Sequence, residues 1–230
     1  MKVSELYAPH GPFNGQEIYV VGTGPSMNVF DRRVLLGKTC LLLNDAQRYF
    51  SELGPLAFSN SVRFLEGCEL PYQIVKGRLK FEEGADRDDN HCAWDSSRYH
   101  VFSYRERPWD SVSHHDMSRL WQEPNHYCAV PGGSVSHFAL QFAALCGASR
   151  IYLVGCDCTP LEHQDYVNGK KFRDRKRDYN AYAQGLETIV RSVWERFGIS
   201  VYTLSPFPGL TRESEQYGRM REWKLQTTTP

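Results

Sequence analysis

Residues 17–26 read Glu17-Ile18-Tyr19-Val20-Val21-Gly22-Thr23-Gly24-Pro25-Ser26. The run Ile18–Val21 is β-branched and aromatic, and turn residues close it, so it reads as a buried strand. Gly22–Ser26 follows directly, with flexible backbone, two hydroxyls and a proline suited to a first helical turn. A second signal lies far along the chain. Pro131-Gly132-Gly133-Ser134 opens a small-residue helix that is followed by Ile151-Tyr152-Leu153-Val154-Gly155-Cys156-Asp157. Strand ends that turn into helix starts along one sheet edge are where α/β proteins bind nucleotides.

Working outward, the pattern alternates. The spacing predicts strands at 17–22, Thr39–Leu43, Leu56–Ser59, Arg150–Gly155 and Ser200–Leu204. Ser26 is expected to cap a helix reaching about Leu36, and a short helix should run to about Leu53. Ser134–Cys146 reads as a helix with Ala139, Ala143 and Ala144 for close packing on a sheet. In Asp178–Phe197, Tyr179, Tyr182, Leu186, Ile189, Val190, Val193, Trp194 and Phe197 fall at three-and-four spacing, and Gly198 ends the helix. These elements predict one α/β domain over 1–230: Rossmann-like, doubly wound, with a mainly parallel sheet. Residues 76–127 are polar, irregular and aromatic, with Trp94, Trp109 and Trp121, and read as an insertion or lid.

Composition narrows the function classes. The 230 residues carry 27 Lys plus Arg against 27 Asp plus Glu, so no net field recruits nucleic acid or an acidic membrane. The seven cysteines form no Cys-x-x-Cys pair and several sit inside predicted elements, which suits a reducing cytoplasm. The first residues hold no apolar stretch for a signal peptide, and no run approaches the roughly 20 apolar residues of a membrane span. A cytoplasmic protein without a transmembrane segment, able to form a homo-oligomer, is the expectation.

Gly22–Ser26 lacks the third glycine of the dinucleotide fingerprint and the Gly-Lys-Ser/Thr of a phosphate loop. It reads either as a cradle for part of a nucleotide, built from Gly22, Thr23, Gly24, Pro25 and Ser26, or as a tight capped turn. Gly132, Gly133 and Ser134 form a second helix start that a ligand could approach closely. Asn44 and Asn60 each end a strand on the same edge; they read as amides that recognise a base or ribose, or as turn residues. Gly155 and Asp157 end another strand, where a carboxylate could take a ribose hydroxyl, a metal or a substrate proton. Lys170, Lys171, Arg173 and Arg175 belong to a basic run that could neutralise a leaving phosphate or simply face solvent. His114-His115-Asp116 and Asp89-Asn90-His91-Cys92 lack the spacing of a metal site, and no metal is assigned to them. No Gly-x-Ser-x-Gly elbow supports a hydrolase.

The ordered set Gly22-Thr23-Gly24-Pro25-Ser26, Asn44, Gly132-Gly133-Ser134, Ile151–Asp157 and Val201-Tyr202-Thr203-Leu204-Ser205-Pro206 resembles one superfamily. It joins small bacterial sialyltransferases to the pterin pyrophosphokinase-like domain. The likeness covers about 17–75 and 128–208. The sialyltransferase branch implies a cytidine monophosphate (CMP) sugar as donor and a glycan or surface acceptor. Gly22, Gly24, Ser26 and Asn44 would line the nucleotide pocket, Asn60 would assist, and Gly133, Ser134, Gly155 and Asp157 would hold base, ribose or phosphate. Asp157 is the expected catalytic or orienting carboxylate, with His163 and Tyr166 around the leaving group. The chain departs from that branch in having Thr23 for asparagine, Thr159 for tyrosine and no histidine in Asp174–Tyr182. The pyrophosphokinase branch implies diphosphate transfer from ATP to a pterin alcohol, with magnesium held by Asp157 and Asp45 or Asp165. A nucleotide-binding protein without catalysis is the third expectation, and no tightly bound cofactor is expected.

Overall fold

A computed structural model of the chain describes residues 3–28, 30–78, 100–104, 134–157 and 179–204. Seven strands build one sheet: β1 (Glu17–Val21), β2 (Thr39–Leu43), β3 (Leu56–Ser59), β4 (Tyr72–Arg78), β5 (His100–Tyr104), β6 (Arg150–Val154) and β7 (Ser200–Thr203). Their order is β5-β4-β3-β2-β1-β6-β7, and all six neighbouring pairs are parallel. The fold is α/β and Rossmann-like. The chain winds outward from β1 to β5, then returns to lay β6 on the other side of β1. The switch point is therefore between β1 and β6.

Alternation along each strand divides the core between two faces. Ile18, Val20, Leu41, Leu43, Leu56, Phe58, Ile151 and Leu153 pack on one face, under α2 (Val135–Leu145) and α3 (Tyr179–Phe197). Tyr19, Val21, Cys40, Leu42, Tyr152 and Val154 face the other way, against Met27, Leu35, Phe50 and Leu53. Burial of both faces explains why the strands read as continuous apolar runs rather than alternating ones. Tyr19 stacks on Tyr152 at 4.6 Å, and Tyr152 on Tyr202 at 5.5 Å, so one aromatic row ties β1, β6 and β7.

Four expectations change. The helix expected over 26–36 is two short 3₁₀ turns, Pro25–Asn28 and Arg32–Leu35. Asp31 restarts the chain by accepting the Arg33 N–H at 3.1 Å, and short polar residues such as Asn28 and Asp31 compete with helix for backbone bonds. The expected helix to Leu53 is α1 (Ala46–Tyr49) followed by a 3₁₀ turn at Ser51–Leu53. The sheet also continues where the sequence looked irregular, since β4 runs through Arg78 and β5 adds a further strand. The remainder of 76–127 lies outside the described residues. Finally, Trp194 does not join the buried stripe of α3: Leu186, Ile189 and Val193 are buried, whereas Trp194 is 58% exposed.

Candidate functional site at the strand switch

Backbone pairing between β1 and β6 runs past the strands into the loops that follow. The Gly22 N–H donates to Val154 O and the Gly24 N–H to Gly155 O, each at 2.8 Å. A Cβ on Gly22 would press on the Gly155 carbonyl, with Gly155 C at 3.0 Å. A Cβ on Gly24 would lie 2.6 Å from Gly155 O and against the Asp157 carboxylate. Gly155 itself has φ +61 and faces Gly22 O and Met27 Sδ, both at 2.9 Å from the position a Cβ would take. The three glycines are thus required by one close approach of two loops.

Asp157 completes that approach. Its Oδ2 accepts the Ser26 N–H at 2.7 Å, and its Oδ1 accepts the Ser26 Oγ–H at 2.8 Å. Met27 N–H donates to Gly24 O at 3.0 Å. The N–H groups of Gly22, Gly24, Ser26 and Met27 are therefore all used inside the protein, and Pro25 has none. Four of the loop's backbone donors are thus committed inside the protein rather than open to a phosphate. Between the two loop residues, Cys156 is buried, with Sγ 3.6 Å from Val20 O and 3.7 Å from Val154 O. Burial, and then the neighbouring Asp157 charge, push its thiol up to about 12. At neutral pH it stays protonated and fills space.

The ends of β2 and β3 carry the two asparagines. Asn44 adopts a left-handed φ of 47, a conformation that asparagine tolerates, and its N–H donates to Phe58 O at 3.0 Å. Its Oδ1 accepts the Asn60 N–H at 3.1 Å and lies 3.1 Å from Ser59 Oγ. Ser59 Oγ is also 2.7 Å from Ser61 O and accepts the Ser61 N–H at 3.1 Å. The oxygen of Asn44 is thereby turned toward the end of β3. Asn60 Oδ1 is buried and has no hydrogen-bond partner among the described residues. An unpaired buried carbonyl is costly, and a ligand donor would satisfy it.

On the face above, Ser134 caps α2, its Oγ accepting the Ser136 N–H at 3.4 Å and lying 3.0 Å from Ser136 Oγ. α2 is 11 residues long and packs across β1, β2, β3 and β6. Its C-terminal end leads into β6, so its N-terminal end lies at the edge where β1, β2 and β3 finish. His137, in the first turn of α2, is buried beside Gly185 of α3, where a Cβ would lie 2.9 Å from His137 Cε1. Sequence reading missed His137, Ser59 and Met27. The histidine had a legible signal in its closeness to Ser134, but Ser59 and Met27 gain meaning only from their partners.

The structure therefore gathers Gly22, Thr23, Gly24, Pro25, Ser26, Gly155 and Asp157 at the switch, with Asn44, Asn60 and Ser134 along the same edge. Gly132, Gly133, His163, Tyr166, Lys170, Lys171, Arg173 and Arg175 lie outside the described residues. Asp45 forms an ion pair with Arg48 at 3.3 Å. Among the described residues no helix is long and apolar enough to cross a membrane, and no group of three or more His, Cys, Asp or Glu is placed to hold a metal.

No protein-family model matches the sequence, and a search of the curated proteins finds no match. Among solved structures, the chain is similar to the MAf glycosyltransferase from Magnetospirillum magneticum AMB-1, with a TM-score of 0.50 and 14% identity. The match covers 98% of this chain and 40% of that one, so this chain spans less than half the length of that glycosyltransferase. The likeness is one of fold, and it extends over nearly the whole chain.

Proposed function

We propose that the protein is a glycosyltransferase that uses a nucleotide-activated sugar, with a CMP-sugar as donor and a hydroxyl of a glycan as acceptor. Asn60 Oδ1, buried and without a partner among the described residues, carries the reading, because it stands beside an Asn44 amide whose oxygen is held inward. Together they offer one acceptor and one donor at the strand ends next to the switch point, a pairing that suits the mixed hydrogen-bonding edge of a base or ribose. The fold shared with a glycosyltransferase adds support. In the reaction, the acceptor oxygen forms a bond to the anomeric carbon as the bond to the phosphate oxygen breaks. CMP leaves with the electron pair, and the acceptor proton passes to a base. His163 and Tyr166 remain the residues proposed for that end of the site, with Lys170, Lys171, Arg173 and Arg175 for the phosphate charge.

Diphosphate transfer from ATP is the competing reading. It needs a cation between carboxylates, yet Asp157 is bonded to Ser26 and Asp45 to Arg48. Their strands flank β1 on opposite sides, about 10 Å apart. Thermal shifts with CMP, CMP-sugars, ATP with magnesium and pterins decide between them. Ligand at about 100 times its dissociation constant adds roughly 2.7 kcal/mol of stability. Stabilisation by CMP with turnover of a CMP-sugar is the expected result. Stabilisation only by ATP with magnesium overturns it, and CMP binding without turnover of any donor leaves a binding protein.

A further inference from the structure

The geometry points to Asp157 as a positioning residue: its carboxylate locks the β1 and β6 loops into one unit and neither takes a substrate proton nor holds a cation. Two oxygens meet two donors of a single residue, Ser26, which is 131 positions away in the chain. The space a Cβ would need at Gly24 is filled by that same carboxylate and by Gly155 O. The Gly24 N–H already bonds the β6 loop. Each contact joins the same two loops, and swinging Asp157 toward a reacting group would break both bonds to Ser26. Backbone bonds from Gly22 and Gly24 hold the start of the loop, and the carboxylate fixes Ser26 beyond them, which supplies the rigidity that a ligand site needs.

An amide can reproduce the clasp without the charge. In Asp157→Asn, Oδ1 can accept the Ser26 N–H while Nδ2 donates to Ser26 Oγ, which a hydroxyl can accept. Asp157→Ala removes both links, and Gly24→Ala opens the loop from the other side without touching Asp157. Two readouts on the full chain are needed: hydrogen exchange at the Ser26 amide, and the dissociation constant for CMP. The Ser26 amide should stay protected in the wild type and in D157N. It should exchange at least about tenfold faster in D157A and G24A, while amides within β1 and β6 stay protected. CMP affinity should fall by about tenfold or more in D157A and G24A but by no more than about threefold in D157N.

Equal loss of CMP affinity in D157N and D157A, with the Ser26 amide still protected in D157N, overturns the proposal, because the carboxylate would then meet the ligand itself. Unchanged Ser26 protection in D157A overturns it too. Should D157A not fold, unchanged protection in G24A has the same force. The affinity readout rests on the nucleotide reading and the exchange readout does not. A wild type that ignores CMP therefore defeats that reading while the Ser26 amide still decides the clasp.

Discussion

Replacing Gly155 with alanine tests whether the two loops are as closely packed as described. Two costs add. A left-handed backbone, here φ +61, costs an L-residue about 1–2 kcal/mol. The new Cβ also meets Met27 Cγ, Met27 Sδ at 2.9 Å and Gly22 O at 2.9 Å. Met27 can swing aside, but the Gly22 carbonyl is backbone, and overpacking of this kind costs about 1–3 kcal/mol. Gly198 supplies the control: its φ is +65, and nothing lies within 4 Å of a Cβ built there. G198A therefore carries the backbone cost alone, and G155A carries both. Urea unfolding of the two variants should give G155A about 1–3 kcal/mol less stability than G198A, out of a total of about 5–15 kcal/mol for a typical domain. In a Met27→Ala background the further loss from G155A should shrink only in part, because the Gly22 carbonyl remains. Equal losses in G155A and G198A would refute the close approach of Gly22 and Gly155.

Three further outcomes follow from other contacts. Gly185→Ala should destabilise by about 1–3 kcal/mol in urea unfolding although alanine is the better helix former, because its Cβ would lie 2.9 Å from His137 Cε1; a His137→Ala background should reduce that loss. Asn44→Ala should cost about 1–3 kcal/mol by removing the acceptor of the Asn60 N–H, whereas Asn44→Asp retains an oxygen there and should lose less. Cys40 and Cys156 have thiols raised from 9.0 to about 12, chiefly by burial, so between pH 9 and 12 the folded chain keeps protons that the unfolded chain releases. Stability should fall as pH rises through that window, and the C40A/C156A double variant should show a shallower fall in a pH series of urea midpoints.

The core strands were legible because both faces of the sheet are buried. Runs such as Thr39–Leu43 and Leu56–Ser59 are apolar throughout, and turn residues close them. α2 was legible from its cap and small residues, and α3 from its periodicity, though Trp194 shows that spacing marks a stripe without fixing its width. β4 escaped because Gln73, Lys76, Gly77 and Arg78 interrupt its apolar residues, and its place in the sheet comes from pairing with β3 and β5. The first connection was misread in part because Asn28 and Asp31 interrupt it and in part because nothing local reveals that Ser26 bonds to a residue beyond position 150.

By itself the sequence determined a parallel α/β sheet and the loops that end its strands, since strand burial and glycine turns are local properties of the chain. Only the tertiary structure decided what those loops do. It set Gly22, Gly24 and Gly155 against one another, turned the N–H groups of Gly22, Gly24 and Ser26 inward, joined Asp157 to Ser26 and left Asn60 Oδ1 without a partner among the described residues. The reason is physical: a glycine in sequence is only permission for backbone to come close, and which partner arrives is settled by strand order.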